Sequence, residues 1–246
     1  MKFDVLTLFP EMFHMVLGES IIGRAQEKDI ICINTINIRD FSSDKHKKVD
    51  DYPYGGGSGM VMMAQPIYDA YLSVAGNLSY KPKVIYMSPQ GKPLSQQILK
   101  ELLKYEHLVI LCGHYEGVDQ RVIDCIVDEE ISIGDYVLTG GELPAMVLID
   151  ALSRMLPGVL SSKEAYSDES HYNGLLEYPQ YTRPYEFIDK KVPEVLLSGH
   201  HARILRWRRQ QSLKITYLKR PDLFEKLNLS EDDRKLLADS LEDSKF

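Results

Sequence analysis

Three short loops gather the residue types best suited to chemistry: "SPQGKPLS" after Met87, "GHYEGVD" after Cys112 and "GDYVLTGGELP" after Ile133. Each follows an apolar run that reads as a strand, and in an open α/β sheet ligands bind in the crevice beyond the carboxyl ends of the strands. A phosphate held there needs free backbone N–H groups backed by positive charge. Instead, Glu116, Asp119, Asp135 and Glu142 make these loops net acidic. They suit a ligand with hydroxyls, an amine or a positive centre, and an apolar body. S-adenosylmethionine, with its ribose, adenine and sulfonium and no phosphate, has those properties. The same glycines also serve plain tight turns, and the acids also serve as helix caps, since Glu142 stands in a first helical turn where a carboxylate favours the dipole. Three such loops together leave both readings open.

The common nucleotide and hydrolase motifs are missing. The Gly91-Lys92 pair is followed by Pro93 and has Tyr86 where a polyphosphate loop would place its first glycine, and "YGGGSGM" has Met60 where a dinucleotide fingerprint would end in glycine. Neither H-E-x-x-H nor G-x-S-x-G occurs.

Two further stretches carry a signal. "DDYPYGGGSGM" holds four glycines in five positions, which lets a backbone approach a ligand or another chain closely at a cost in conformational entropy. A flexible hairpin tip is the plainer reading. From His200 to Pro221 there are seven cations (Arg203, Arg206, Arg208, Arg209, Lys214, Lys219, Arg220) and no acid, interleaved with Trp207 and Tyr217. That mixture binds nucleic-acid backbones and can stack bases. Trp207 itself fits the core of a small domain. From Asp222 to the end, eight acids face four bases, so the formal net charge of -7 conceals a basic element followed by an acidic tail.

These residues need a scaffold. "FDVLTLF", "IICINTINI", "KVIYM" and "HLVILC" read as strands, with helices predicted over Ala64 to Val74 and Ser95 to Lys104, the second capped by Ser95. Alternation of this kind predicts an α/β domain with a mostly parallel sheet over residues 1–160. The polar, aperiodic "SSKEAYSDESHYNG" predicts a linker or mobile loop over 161–175. Residues 176–246 predict a small helical domain, with Ile204, Trp207, Ile215 and Leu218 sharing a helix face. The 246 residues allow one good core plus an appendage. No run approaches the roughly 20 apolar residues of a membrane span. Three widely spaced cysteines, Cys32, Cys112 and Cys125, fit reduced core thiols and a cytoplasmic address, with no zinc site.

"LFPEMF", "VDDYPYGGGSGMVMMAQP", "VIYMSPQGKPL", "LCGHYEGVDQRV", "DEEISIGDYVLTGGELPAMVLIDALSRMLPGVL", "YPQYTRP" and "VPEVLLSGHHARILRWR" together closely resemble bacterial tRNA (guanine-N1)-methyltransferases, which methylate guanosine 37 next to the anticodon. The resemblance runs from the first strand to the basic helix. It implies a trefoil-knotted methyltransferase domain of the SPOUT class, a linker, and a helical domain that grips the anticodon stem-loop of tRNA. The knot is implied by the family alone, because threaded chains are too rare to be read from periodicity. The resemblance also implies a homodimer whose active sites lie at the subunit interface.

Carried onto this chain, it implies that S-adenosylmethionine, with S-adenosylhomocysteine as its product, is held by Tyr86, Met87, Ser88 and Pro89, by Gly113, Glu116 and Gly117, and by Ile133, Gly134, Asp135, Tyr136, Val137, Leu138, Gly140, Gly141 and Pro144. Family members use a linker aspartate as base and an arginine near the end of the long helix, here Arg154. This chain departs at the base: Glu169 stands just before Ser170 where the family has aspartate, and Asp168 precedes it. Glu169 is the expected base, with Asp168 as the alternative. Arg206, Arg208 and Arg209 are expected to contact phosphates, and Asp50 with the glycine loop through Gly59 to sit near the substrate. Two other readings stay open: a knotted methyltransferase acting on another RNA position, and an RNA-binding module with impaired chemistry.

Overall fold

The computed structural model describes residues 1–162 and 164–242. Lys163, within the expected linker, and 243–246 of the acidic tail lie outside the described residues. The chain divides into two compact units, Met1–Lys163 and Glu164–Phe246.

The first unit runs β1 (Lys2–Thr7), α1 (Glu11–Leu17), α2 (Ser20–Glu27), β2 (Cys32–Asn37), a short turn of 3-10 helix (Ile38–Phe41), β3 (Asp50–Asp51), β4 (Val61–Met62), α3 (Ala64–Ala75), β5 (Lys83–Pro93), α4 (Gln96–Leu102), β6 (His107–Cys112), α5 (Gln120–Ile126), β7 (Glu129–Ser132) and α6 (Glu142–Ser153). Five strands form a sheet in the order β2-β1-β6-β5-β7, and every pairing in it is parallel. Such a sheet must be covered on both faces, which is why β1 and β6 are buried along almost their whole length. Leu6, Val84, Tyr86, Val109 and Leu111 point to the face packed with Ile67, Ala70, Val122 and Ile126 of α3 and α5. Alternate residues point the other way, where α6 packs against β1 and β6 and touches α1 and α4. Ser95 caps α4 by accepting from the Ile98 N–H, as its position predicts.

β5 differs from expectation. The apolar run ends at Met87, yet the strand continues to Pro93, because its pairing with β7 shifts register between Met87 and Lys92. The intervening residues bulge out of the sheet while Lys92 and Pro93 rejoin Ile131 and Ser132. The cysteines differ too: Cys112 is buried, but Cys32 and Cys125 are exposed.

The second unit runs α7 (Glu164–Ser167), a β8 (Glu186–Phe187) and β9 (Lys190–Lys191) hairpin, α8 (Glu194–Leu197), α9 (His201–Lys219), α10 (Pro221–Phe224) and α11 (Glu231–Glu242). Its small core holds Leu175, Leu213 and Leu236, with Phe224, Leu227, Leu229 and Leu237 against them. The face of α9 that is buried carries Ser212, Leu213 and Thr216, not the predicted stripe, and Leu218 is exposed. Hydrogen bonds explain the inversion. Thr216 Oγ1 donates to the Ser212 carbonyl and accepts from the Leu176 N–H, so polar side chains are buried at little cost.

The expected linker is folded into this unit. The His171 N–H donates to the Leu175 carbonyl at 2.7 Å, Asn173 Nδ2 to the Ser167 carbonyl, and the Glu177 N–H to Ser170 Oγ. Leu175 then fills the core. A connector spanning 161–175 is thus reduced to the junction before Glu164.

The bulge in β5 depends on Gly91. A Cβ there would stand 2.4 Å from the backbone carbonyl carbon of Glu130 and the nitrogen of Ile131. Gly91→Ala is expected to destabilise the protein by about 1–3 kcal/mol through forced separation of β5 and β7, measured as a shift in denaturant midpoint.

Candidate active site

Because the strands are parallel, the neighbours β6, β5 and β7 release their chains at one edge of the sheet. The three loops converge there around a cavity of about 410 Å³. It is lined by Tyr86, Met87, Ser88, Pro89, Gly113, Glu116, Gly117, Ile133, Gly134, Tyr136, Val137, Leu138, Gly140, Gly141 and Pro144, all expected from the sequence. Asp135 was expected as well, but it is not among the lining residues.

Backbone contacts hold the loops together. The Gly141 N–H donates to the Gly113 carbonyl at 2.8 Å, and His114 pairs with Gly140 in an antiparallel bridge. A Cβ on Gly113 would come within 2.7 Å of the Tyr86 hydroxyl, and one on Gly141 within 2.8 Å of Cys112 Cα. These glycines permit an approach that any side chain would block. Ser132 Oγ both accepts from the Gly134 N–H and donates to the Gly134 carbonyl, fixing the turn after β7.

Among the described residues no lysine or arginine lines the cavity; the carboxylates that do are Glu116 and Glu130. Glu130 escaped the sequence reading, although strand alternation explains it. Glu129 turns to Lys83 and Lys92, and its neighbour turns to the cavity. Two of the four acids first singled out are structural: Asp119 caps α5 by accepting from the Arg121 N–H, and Glu142, buried, accepts from Thr7 Oγ1 at 2.8 Å. Burial, with the charges of Glu130 and Cys112 adding to it, pushes the Tyr86 hydroxyl up to about 12, so it remains a neutral hydrogen-bond donor. Tyr136, Val137 and Leu138 line the cavity while exposed, and form an apolar rim. The cavity thus combines carboxylates, closely approaching backbone and exposed apolar side chains.

The glycine-rich segment forms the tip of the β3–β4 hairpin, whose root is bonded to the Glu116–Gly117 loop that lines the cavity. The Glu116 N–H donates to the Met60 carbonyl and the Met62 N–H to the Gly117 carbonyl, both at 2.9 Å. Gly59 presses on Glu116, where a Cβ would meet its side chain at 2.5 Å. Asp50, half-buried, lies in β3 at the same root. The half-buried Arg154 closes α6 at its C-cap.

In the second unit, Glu169 is half-buried and Asp168 exposed, within the turn that precedes Leu175. Along α9, Arg206 is exposed. Arg208 lies over the Tyr178 ring, 4.7 Å from its centroid, and Trp207 packs beside Tyr181. Arg209 forms a two-pronged bond to Asp233 at 2.8 and 3.0 Å. Asp233 also caps α11 reciprocally with Ser230, each side chain accepting from the other's N–H. Arg209 therefore ties α9 to α11, a role its place in a basic run does not reveal.

Residues 1–226 match the family described as tRNA (Guanine-1)-methyltransferase TrmD. The chain belongs to this family. A tRNA (guanine-N(1)-)-methyltransferase of Ruminiclostridium cellulolyticum is 70% identical over 92% of this chain and 97% of its own. Proteins of the same name from Clostridium botulinum and Caldanaerobacter subterraneus subsp. tengcongensis are each 59% identical over 97% of this chain and 98% of theirs. Membership of this methyltransferase family accounts for a cavity built for a methyl donor. Among the described residues no His, Cys, Asp and Glu cluster could hold a metal ion, and no helix is long and apolar enough to cross a membrane.

Arg209 holds the Asp233 carboxyl below its ordinary value, with Ser230 helping and burial opposing. A depressed carboxyl stabilises the fold above its unfolded value and loses that contribution as pH falls through its folded one. Arg209→Ala is expected to cost about 1 kcal/mol at neutral pH, a modest figure because the guanidinium is partly solvated. By about pH 2 wild type and variant should unfold alike. Thermal denaturation at the two pH values checks this.

Proposed function

We propose that the protein transfers a methyl group from S-adenosylmethionine to N1 of guanosine 37 in tRNA. The observation that carries this reading is the cavity at the carboxyl edge of a parallel sheet, lined by carboxylates and exposed apolar side chains and by no lysine or arginine, in a chain of this family. When bound, S-adenosylmethionine supplies an electrophilic methyl carbon on a sulfonium. Tyr86 to Pro89, Gly113, Glu116, Gly117 and residues 133–141 with Pro144 would hold it.

Guanine N1 carries a proton at neutral pH, so a base must remove it as the N1–methyl bond forms and the sulfur–methyl bond breaks. Glu169 is the proposed base, with Asp168 one residue away as the alternative. Arg154 would stabilise charge developing on O6. Arg154 belongs to the first unit and Glu169 to the second. The nucleotide must leave the loop stack to reach them.

The homodimer belongs to the same proposal. Its support is the apolar surface that α1 and α6 leave in water: Met12, Met15 and Val16 on one helix, Leu143 and Val147 on the other, with Met15 82% exposed. A helix apolar on several sides is one that an assembly covers. The trefoil knot is proposed on the family relationship, with the close passage of Gly113 and Gly141 in its favour. We assign residues 1–160 to cofactor binding and the helical residues 176–246 to tRNA binding, in the cytoplasm where tRNA is modified. On α9, Arg206 is proposed to meet a phosphate directly, beside Arg208 and Arg209 held in fixed orientation by Tyr178 and Asp233.

Incubation of unmodified tRNA with labelled S-adenosylmethionine should yield 1-methylguanosine at position 37, and no label in the RNA overturns the reading. Glu169→Ala is expected to lower kcat about 10²–10⁴-fold. If Asp168→Ala does so in its place, Asp168 is the base. Arg206→Ala should weaken tRNA binding and flatten its dependence on salt by about one counterion.

A further inference from the structure

The tip of the β3–β4 hairpin has no role in holding the methyl donor, yet it carries two of the most exposed aromatic rings in the described chain. Tyr54 is 100% exposed and Tyr52 78%. Folding gains nothing from these rings, which stay in water although burial of an aromatic ring is favourable.

The backbone that follows turns away from the protein. Gly55, Gly56 and Gly57 have φ of +88°, +81° and +128°. A Cβ at Gly55 or Gly56 would meet nothing within 4 Å, so conformation and not crowding calls for glycine at those two positions. The root, in contrast, is fixed. β3 and β4 pair through Asp50↔Met62 and Asp51↔Val61, and Met60 and Met62 bond to the cavity loop at Glu116, Gly117 and Asp119. Even fully extended, the chain from Tyr54 to Gly59 spans no more than about 18 Å. The rings are thus tethered near the rim of the cavity.

We propose that Tyr54, with Tyr52 on the same hairpin, is a stacking platform for an unpaired nucleobase of the RNA that flanks the target guanosine. The proposal rests on the function argued above. Exposed aromatic rings are what single-stranded nucleic acid uses, because every base has a π-face. The bonds from the hairpin root to the loop that lines the cavity favour RNA over a protein partner: the target base must present N1 at this cavity, and its neighbours in a loop are unpaired. The platform contributes affinity and orientation, and takes no part in the chemistry.

The test compares full-length wild type, Tyr54→Ala, Tyr54→Phe and Arg206→Ala in tRNA binding across a salt series, methyl transfer kinetics, cofactor binding and oligomeric state. Tyr54→Ala is expected to raise KM and Kd for tRNA about 5- to 100-fold, with kcat and cofactor affinity near wild type. Its salt slope should match wild type, because stacking releases no counterions, whereas the slope of Arg206→Ala falls. Tyr54→Phe, which keeps the ring, should behave as wild type. An active wild type whose Tyr54→Ala variant binds tRNA equally well overturns the platform and leaves the proposed function standing. A Tyr54→Ala variant that changes subunit association overturns it too, since the ring would then face a second copy. A wild type that transfers no methyl group to tRNA overturns the function itself.

Discussion

How closely backbones can approach at one edge of the parallel sheet governs the arrangement. β6, β5 and β7 lie side by side and end together, but adjacent ends alone make a shallow groove. The groove deepens because three glycines let chain segments come nearer than a methyl group would allow. Gly91 lies against the Glu130–Ile131 backbone, Gly113 against Tyr86, and Gly141 against Cys112. Each contact moves a loop inward, and the inward position lets the Gly141 N–H reach the Gly113 carbonyl. The cavity is therefore a property of spacing first and of side chains second.

Electrostatic selectivity follows from where alternate residues point. On β7, Glu129 satisfies two lysines at the sheet edge, while Glu130 faces the cavity with Glu116 opposite on another loop. Burial holds Tyr86 in its neutral form, so the same wall offers a donor as well as acceptors. Among the described residues, two carboxylates line the cavity with no lysine or arginine to offset them, and Tyr136, Val137 and Leu138 add an apolar rim.

Much of this was legible in the sequence because apolar runs and glycine loops are local signals. The central strands, the Ser95 cap and the three loops at one edge all follow from residues close together in the chain. What escaped depends on partners far away. Glu130 could be assigned only once the register of β7 was known, and β5 runs past Met87 only because β7 receives it a second time. Asp135 carries the right charge in the right loop, yet stands off the cavity its neighbours line. Segment 164–175 looked like a linker because it is polar and aperiodic. Its order comes from turn hydrogen bonds and from Leu175 entering a core built by α9 and α11. For α9 itself, apolar periodicity selected the wrong stripe, because the Thr216 hydroxyl is satisfied by the Ser212 carbonyl and the Leu176 N–H and is buried beside Leu213.

The acidic tail bears on how an overall anionic chain keeps exposed cations on one helix. Asp222 pairs with Arg220, and Asp233 with Arg209, so two of the seven cations of the basic stretch are neutralised internally. A paired arginine releases fewer counterions on meeting a phosphate, so it adds little to a salt-dependent affinity. Arg203 and Arg206 have no carboxylate partner among the described residues. The tail thereby selects which cations remain available, and it fixes α9 through the Arg209 bond so that they project from a rigid helix. Net charge averages these separate effects into one number, and for this reason the charge of -7 does not preclude a polyanionic substrate.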